Sequence, residues 1–293
     1  MPRHYFNSLA AGVLAAALAT SAPTSAASPP ASAIVPAVRV QAARVRPGDA
    51  LLVTVDGVPS SLASSTSGTV ALDAAAREGS TSGTEPGEPR RLRFYPTPTG
   101  AQAITSLPVE LEPGILRVEV RIPGRTDPLT ASVEVVEPGF PEAKLSVAPK
   151  FIAPSPAQKK RMEEDQAAFR EAFGRPFEPP AFAGPFVRPR DATVTGPFGE
   201  RRTFNGKKQS QHYGTDLAGA LGDPVRAANA GVVVLVRDCF ASGKSIAIAH
   251  GGGLFSVYFH LSGFDVRHGD RVERGQVIGK VGATGRATGP HLH

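Results

Sequence analysis

Apolar and polar residues alternate along four short stretches in the first half of the chain: VRVQA, LLVTVDG, LRVEVRI and ASVEVVE, between Val38 and Glu137. In LRVEVRI, Val118 and Val120 fall on one face of an extended chain. Arg117, Glu119 and Arg121 fall on the other, the period-two mark of a half-buried strand. Turn residues separate the stretches (PGDA, EPGI, IPGRTDP), and several such strands within residues 38–137 predict a small antiparallel β-sandwich of Ig-like type. GSTSGTEPGEP, from Gly79 to Pro89, reads as a flexible loop inside it.

The alternation stops at residue 138, and residues 138–190 read as a connector. Ser155 can cap a helix, Pro156 suits its first position and Gln158 completes a capping box, so a helix is predicted over 156–173 with Gly174 as its stop. Its surface is mostly charged, which suits sideways packing on a domain or a spacer. Pro176, Pro179, Pro180, Pro185 and Pro189 keep the following chain extended. From Asp191 the pattern returns to strands (ATVTG, GVVVLVR, KSIAIAH, LFSVYFH, QVIGKVG) parted by glycine turns, a second β unit over 191–293. The predicted fold class is all-β.

The N-terminus changes the picture of where the protein works. Arg3, an apolar run from Leu9 to Ala19 and small residues near Ala26 and Ala27 form a secretory signal peptide over 1–27, followed by a Pro/Ala/Ser-rich linker over 28–37. Export to the periplasm, cell envelope or medium is expected. No cysteine lies nearby to carry a lipid, and Cys239, the single cysteine, excludes an intrachain disulfide. No other run is long enough to cross a membrane. The net charge of +6 suits anionic surfaces, including an acidic wall polymer. Nucleic acid is disfavoured, because no basic cluster is interleaved with aromatics and tryptophan is absent.

The second β unit holds six of the seven histidines. HYGTD supplies His212 and Asp216, and the final residues GPHLH supply His291 and His293. Gly214 argues against a helix through HYGTD. In a strand, residues two apart share a face, so His291 and His293 enter one cavity while Leu292 turns to the core. Two nitrogens and one oxygen around a metal leave a fourth position open, as catalytic zinc requires. His260 lies on the polar side of FSVYFHLS, opposite Phe255, Val257 and Phe259. His250 reads as structural and His268 as solvated in a turn.

The order FGERR, HYGTDLAGALGDPVRAANAGVVV, HGGGLFSVYFHLS, VRHGDRVERGQVIGKVGATG and GPHLH closely resembles the M23 zinc peptidases, the LytM or lysostaphin-like domain, from about Thr193 to His293. The resemblance implies that His212, Asp216 and His293 hold one Zn²⁺ and that His260 and His291 are the non-ligand catalytic histidines. It implies an exported zinc metalloendopeptidase that cuts peptide cross-links of peptidoglycan. D,D-type cross-links are favoured over glycine bridges by the accessory region alone. The alternative is a weak or silent M23-like module that binds wall or activates an amidase. A biotinyl/lipoyl-type carrier, suggested by VRHGDRVERGQVIG, lacks the methionine such a lysine hairpin carries. In the family the HxH strand continues, so the sequence ending at His293 is expected to be a truncated form that binds zinc weakly.

Overall fold

The structure, a computed structural model, describes residues 35–72 and 89–293. The segment read as a signal peptide, most of the expected linker and nearly all of the loop read at Gly79–Pro89 lie outside them. Two sheets share one apolar core in the N-terminal half. One has the order β1 (Ala37–Val40), β3 (Ala50–Asp56), β7 (Gly100–Ser106), β6 (Tyr95–Thr97). The other runs β2 (Arg44–Val45), β9 (Leu129–Val135), β8 (Gly114–Arg121), β4 (Ser67–Leu72), β5 (Arg90–Arg93). Every pairing is antiparallel except that of β2 with β9. Alternation places Val118 and Val120, fully buried, in the core with Leu51, Val53, Val55 and Val133, while Arg117 and Arg121 face out. The strands beyond the four legible stretches are short or polar, which is why the pattern does not announce them.

Residues 138–190 bind to the C-terminal half along their length. β10 (Glu142–Leu145) runs parallel to β12 (Arg201–Phe204), which pairs in turn with β13 (Lys208–Gln211). A four-residue helix α1 (Ser60–Ala63) belongs to the sandwich, and α2 (Pro156–Phe173) is the predicted long helix. Its capping box forms: Gln158 N–H donates to Ser155 Oγ at 3.3 Å and Ser155 N–H to Gln158 Oε1 at 2.9 Å. Of the two expectations for this helix, it packs on a domain. Ala168, Phe169 and Ala172 lie against Val234, Leu235 and Ala247. Buried Asp165 accepts from Arg237 Nε and from the Phe240 N–H, each at 2.7 Å. The proline-rich stretch is tied down too, by Ala181 N–H to His250 O and Gly252 N–H to Glu178 O.

The surface that receives α2 is the sheet β18 (Leu254–Leu261), β17 (Gly243–Gly251), β16 (Gly231–Cys239), β20 (Arg271–Val272). Two three-stranded sheets complete this half: β15 (Pro224–Arg226), β21 (Val277–Lys280), β19 (Gly263–Phe264), and β11 (Val194–Gly196), β14 (Asp216–Ala218), β22 (His291–Leu292). Ile246, Ile248, Leu261, Ile278 and Leu292 form the centre of their common core. Cys239 is buried. Among the described residues no helix is long and apolar enough to cross a membrane. The sandwich reaches the C-terminal half where Tyr213 O–H donates to Glu110 Oε1 at 2.6 Å and Phe198 lies against Gly48.

Candidate metal centre

Strand pairing joins the two histidine motifs. β14 starts at Asp216, and β22 lies antiparallel to it with Leu217 opposite Leu292 and Ala218 opposite His291. Leu292 is 1% exposed in the core, so its neighbours His291 and His293 both turn into one groove of about 840 Å³. The carbonyl of His293 accepts from Phe259 N–H at 2.8 Å, tying β22 to β18. The HYG segment ahead of Asp216 is irregular, as Gly214 predicted. The His293 ring fills the space that a Cβ on Gly214 would need, so glycine is required there for close approach.

Three atoms converge: His212 Nε2 is 3.1 Å from Asp216 Oδ1, His293 Nδ1 is 2.9 Å from the same oxygen, and the two nitrogens are 3.0 Å apart. His212 Nδ1–H donates to Pro197 O at 2.8 Å, so its Nε2 is left as an acceptor. An acceptor nitrogen facing a carboxylate oxygen at this distance is a repulsive pair that a shared cation relieves. Bonds of about 2.0–2.1 Å to a tetrahedral zinc would hold such donors roughly 3.3 Å apart, close to the spacing seen. The donor set fits the ion.

Neighbouring groups aim these atoms. Arg202 Nη2 donates to Asp216 Oδ2 at 2.7 Å, which reserves Oδ1 for the centre, and Arg202 Nε donates to Glu200 Oε2 at 2.7 Å. Burial opposes ionisation of Asp216, but the neighbouring His212, His293 and Arg202 side chains outweigh it and hold the carboxyl far below its usual range. Phe259 stacks on His293, with ring centres 5.1 Å apart and planes 6° from parallel. Phe169 of α2 meets Phe259 edge-on, with ring centres 5.8 Å apart. Burial lowers the pKa of His293, and Asp216 counters it.

His260 and His291 stand beside the triad with ring centres 4.9 Å apart. Each commits Nδ1–H to a backbone carbonyl, His260 to Thr284 O at 2.8 Å and His291 to Gly289 O at 2.9 Å. Both Nε2 atoms are therefore free acceptors, and that of His291 lies 3.7 Å from Asp216 Oδ1. Burial pushes the pKa of His260 down to about 3. His260 also has φ of 61°, left-handed backbone that costs a non-glycine residue, at a break in the β17–β18 register. Strict alternation would send Phe259 and His260 to opposite faces; the break lets both line the groove.

His250 is fully buried away from the groove, where Nδ1–H donates to Ala230 O at 2.7 Å and Nε2 meets Ser256 Oγ at 2.8 Å. His268 is exposed in its turn. Sequence reasoning did not single out Arg202, Phe259 or Thr284, because their roles arise from contacts across strands. The two arginines of FGERR carried a signal only through the resemblance.

Fold and site define a β-sheet protein whose groove carries an open His/Asp/His centre flanked by two further imidazoles. Residues 210–293 match Peptidase family M23. ShyA of Vibrio cholerae, named a peptidoglycan DD-endopeptidase, is 46% identical over 87 residues, which are 30% of this chain and 20% of that protein. ALE-1 of Staphylococcus capitis, named a glycyl-glycine endopeptidase, is 43% identical over 84 residues, 28% of this chain and 23% of that one. The chain thus spans under a quarter of either relative. A Pseudomonas aeruginosa crystal structure, described as a candidate M23 peptidase, superposes with a TM-score of 0.56 at 27% identity, over 84% of this chain and 87% of that one.

Proposed function

We propose that the protein is an exported zinc endopeptidase that hydrolyses peptide cross-links of peptidoglycan. The observation that carries this reading is the convergence of His212 Nε2, Asp216 Oδ1 and His293 Nδ1 within 3.1 Å of one another in an open groove. In this reading those three residues hold one zinc ion, and His260 and His291 act on the substrate. When bound, zinc supplies a Lewis acid that polarises a carbonyl and acidifies water. The chain supplies the proton traffic. One free Nε2 takes the proton released as water adds to the peptide carbonyl, and the same imidazole, now an N–H donor, returns it to the leaving amine as the C–N bond breaks; the other Nε2 accepts a hydrogen bond from the attacking water. Residues 1–27 leave as a signal peptide, 28–37 form a linker, 38–137 an accessory Ig-like sandwich, 138–190 a connector and 191–293 the peptidase domain.

The names of ShyA and ALE-1 support a wall peptide as substrate. Digestion of purified sacculi by the zinc-loaded protein should release muropeptides with new amino termini at the cross-links, read by mass spectrometry. Sacculi that are bound but left intact by fully loaded protein would replace this reading with the wall-binding one. Asp216→Ala should lower the zinc content measured by elemental analysis from one per chain; full zinc in that variant would overturn the ligand assignment. Mass spectrometry of the exported form should find its N-terminus near Ala26 or Ala27.

A further inference from the structure

The groove holds a second arginine besides the one that orients Asp216. Arg286 lies in the loop between β21 and β22, two residues after Thr284. That loop is fixed. Arg286 N–H donates to Ala241 O at 2.7 Å, Lys244 N–H donates to Thr284 Oγ1 at 2.9 Å, and Thr284 O receives Nδ1–H of His260. Gly285, with φ of 74°, packs so tightly on the backbone at Ala241 and Gly243 that no side chain fits. The Arg286 guanidinium lies over the buried Phe204 ring, its Cζ 4.8 Å from the centroid. Phe204 is two residues beyond Arg202 on β12, so both arginines use the same wall of the groove.

What distinguishes Arg286 is what it lacks. Among the described residues, no carboxylate pairs with its guanidinium and no carbonyl accepts from it. The nearby acids Glu200 and Asp216 are both taken by Arg202. Burial, with the Arg202 charge adding to it, lowers the Arg286 pKa, yet a guanidinium remains protonated in proteins. A partly buried cation with five donors, pre-set on one aromatic face, is built to receive a planar anion through paired N–H bonds.

We infer that Arg286 is the subsite that receives a carboxylate of the peptide substrate, so that the groove selects cross-links bearing a free carboxylate beside the scissile amide over uncharged glycine bridges. This rests on the peptidase reading and sharpens it. A cross-link formed through an amino group whose carbon also bears a carboxylate presents that group next to the bond to be cut. A glycine bridge presents only amides. The phenyl ring beneath the guanidinium restricts it to a narrow range of orientations, so little freedom is lost when the anion arrives.

The test uses the full zinc-loaded chain and two synthetic cross-linked peptides, identical except that the carboxylate beside the scissile amide is free in one and a carboxamide in the other. The wild-type protein should prefer the carboxylate peptide in kcat/KM by roughly 10- to 100-fold, the range expected for a charge-assisted hydrogen bond, with the difference mainly in KM. Arg286→Gln should collapse that ratio to about one with zinc content unchanged, and Arg286→Lys should retain only part of it. Equal kcat/KM for the two peptides in the wild-type protein overturns the inference, whether or not the variant folds. So does a ratio that survives Arg286→Gln. Calorimetric binding of both peptides to His260→Ala separates the two readings. A carboxylate preference there that Arg286→Gln abolishes, with neither peptide cut by the wild-type protein, upholds the subsite and removes the peptidase.

Discussion

His260 is held in left-handed backbone, with its Nδ1–H spent on Thr284 and its ring buried. Such a position is costly to maintain and suits a residue used for its Nε2. His260→Ala and His291→Ala should each keep the metal and lose about 10²- to 10⁴-fold in turnover, the usual share of general acid–base help. Joint loss of zinc and activity in either variant would make that residue a ligand. Arg202 makes a different prediction. Its guanidinium and the carboxylates of Glu200 and Asp216 are all largely buried. Arg202→Met strands two carboxylates and should destabilise the metal-free protein by about 3 kcal/mol in urea melts, with excess zinc restoring part of the loss. Arg202→Lys should not rescue it, since one ammonium cannot fork to both acids. Four of the five residues gathered in the groove, His212, Asp216, His291 and His293, fall in the local spacings HxxxD and HxH; His260 stood out only as the polar end of its strand, and the roles of all five came from the resemblance. Arg202 was not legible there, since it meets Asp216 only after β12 and β14 are in place.

At the scale of elements, α2 joins the site through an aromatic relay, Phe169 on Phe259 on His293. Phe169 is partly buried, so Phe169→Ala should cost about 2 kcal/mol, below the range for a fully buried phenylalanine, and should also weaken zinc binding by loosening Phe259. Zinc titration of that variant checks it; an unchanged affinity would separate the helix from the centre. Asp165→Ala should undock the same helix by orphaning the Phe240 N–H and half-exposed Arg237, at about 2 kcal/mol by denaturant melts. The capping box and the long apolar strands β16 to β18 could be read directly, because each is specified within a dozen residues. β10, β12 and β13 could not. Their sequences, EAKL, RRTF and KQSQ, carry few apolar residues, and a parallel pair joining residues 142–145 to 201–204 leaves no local trace.

For the whole molecule, the core around His250 sets a pH limit. Burial lowers its pKa in the folded state, so on acidification the unfolded chain takes up the proton first. The sign follows: this contribution is intact above the unfolded pKa of about 6.5 and is lost as pH falls below it, at up to about 1.4 kcal/mol per pH unit. Urea midpoints for the zinc-loaded protein should therefore fall between pH 7 and pH 5, and His250→Gln should flatten that fall. An identical slope in the variant would assign the effect to other groups. The sandwich touches the site region as well, through Glu110 on Tyr213, the residue after His212.

The β10–β12 pair bears on how this protein could be divided by recombination. The family match begins at residue 210, yet Ala143 and Leu145 of β10 form part of the groove wall. Heredity and folding thus draw the portable piece differently. A gene fusion joined at about residue 138 carries the groove whole, whereas one joined at 191 leaves behind a wall strand, the capped helix and the aromatic relay it supplies. The longer piece should melt cooperatively by calorimetry and the shorter one should not. Exchange among relatives of this architecture is then expected to succeed at the sandwich side of β10, where the junction leaves every strand of the groove on one piece.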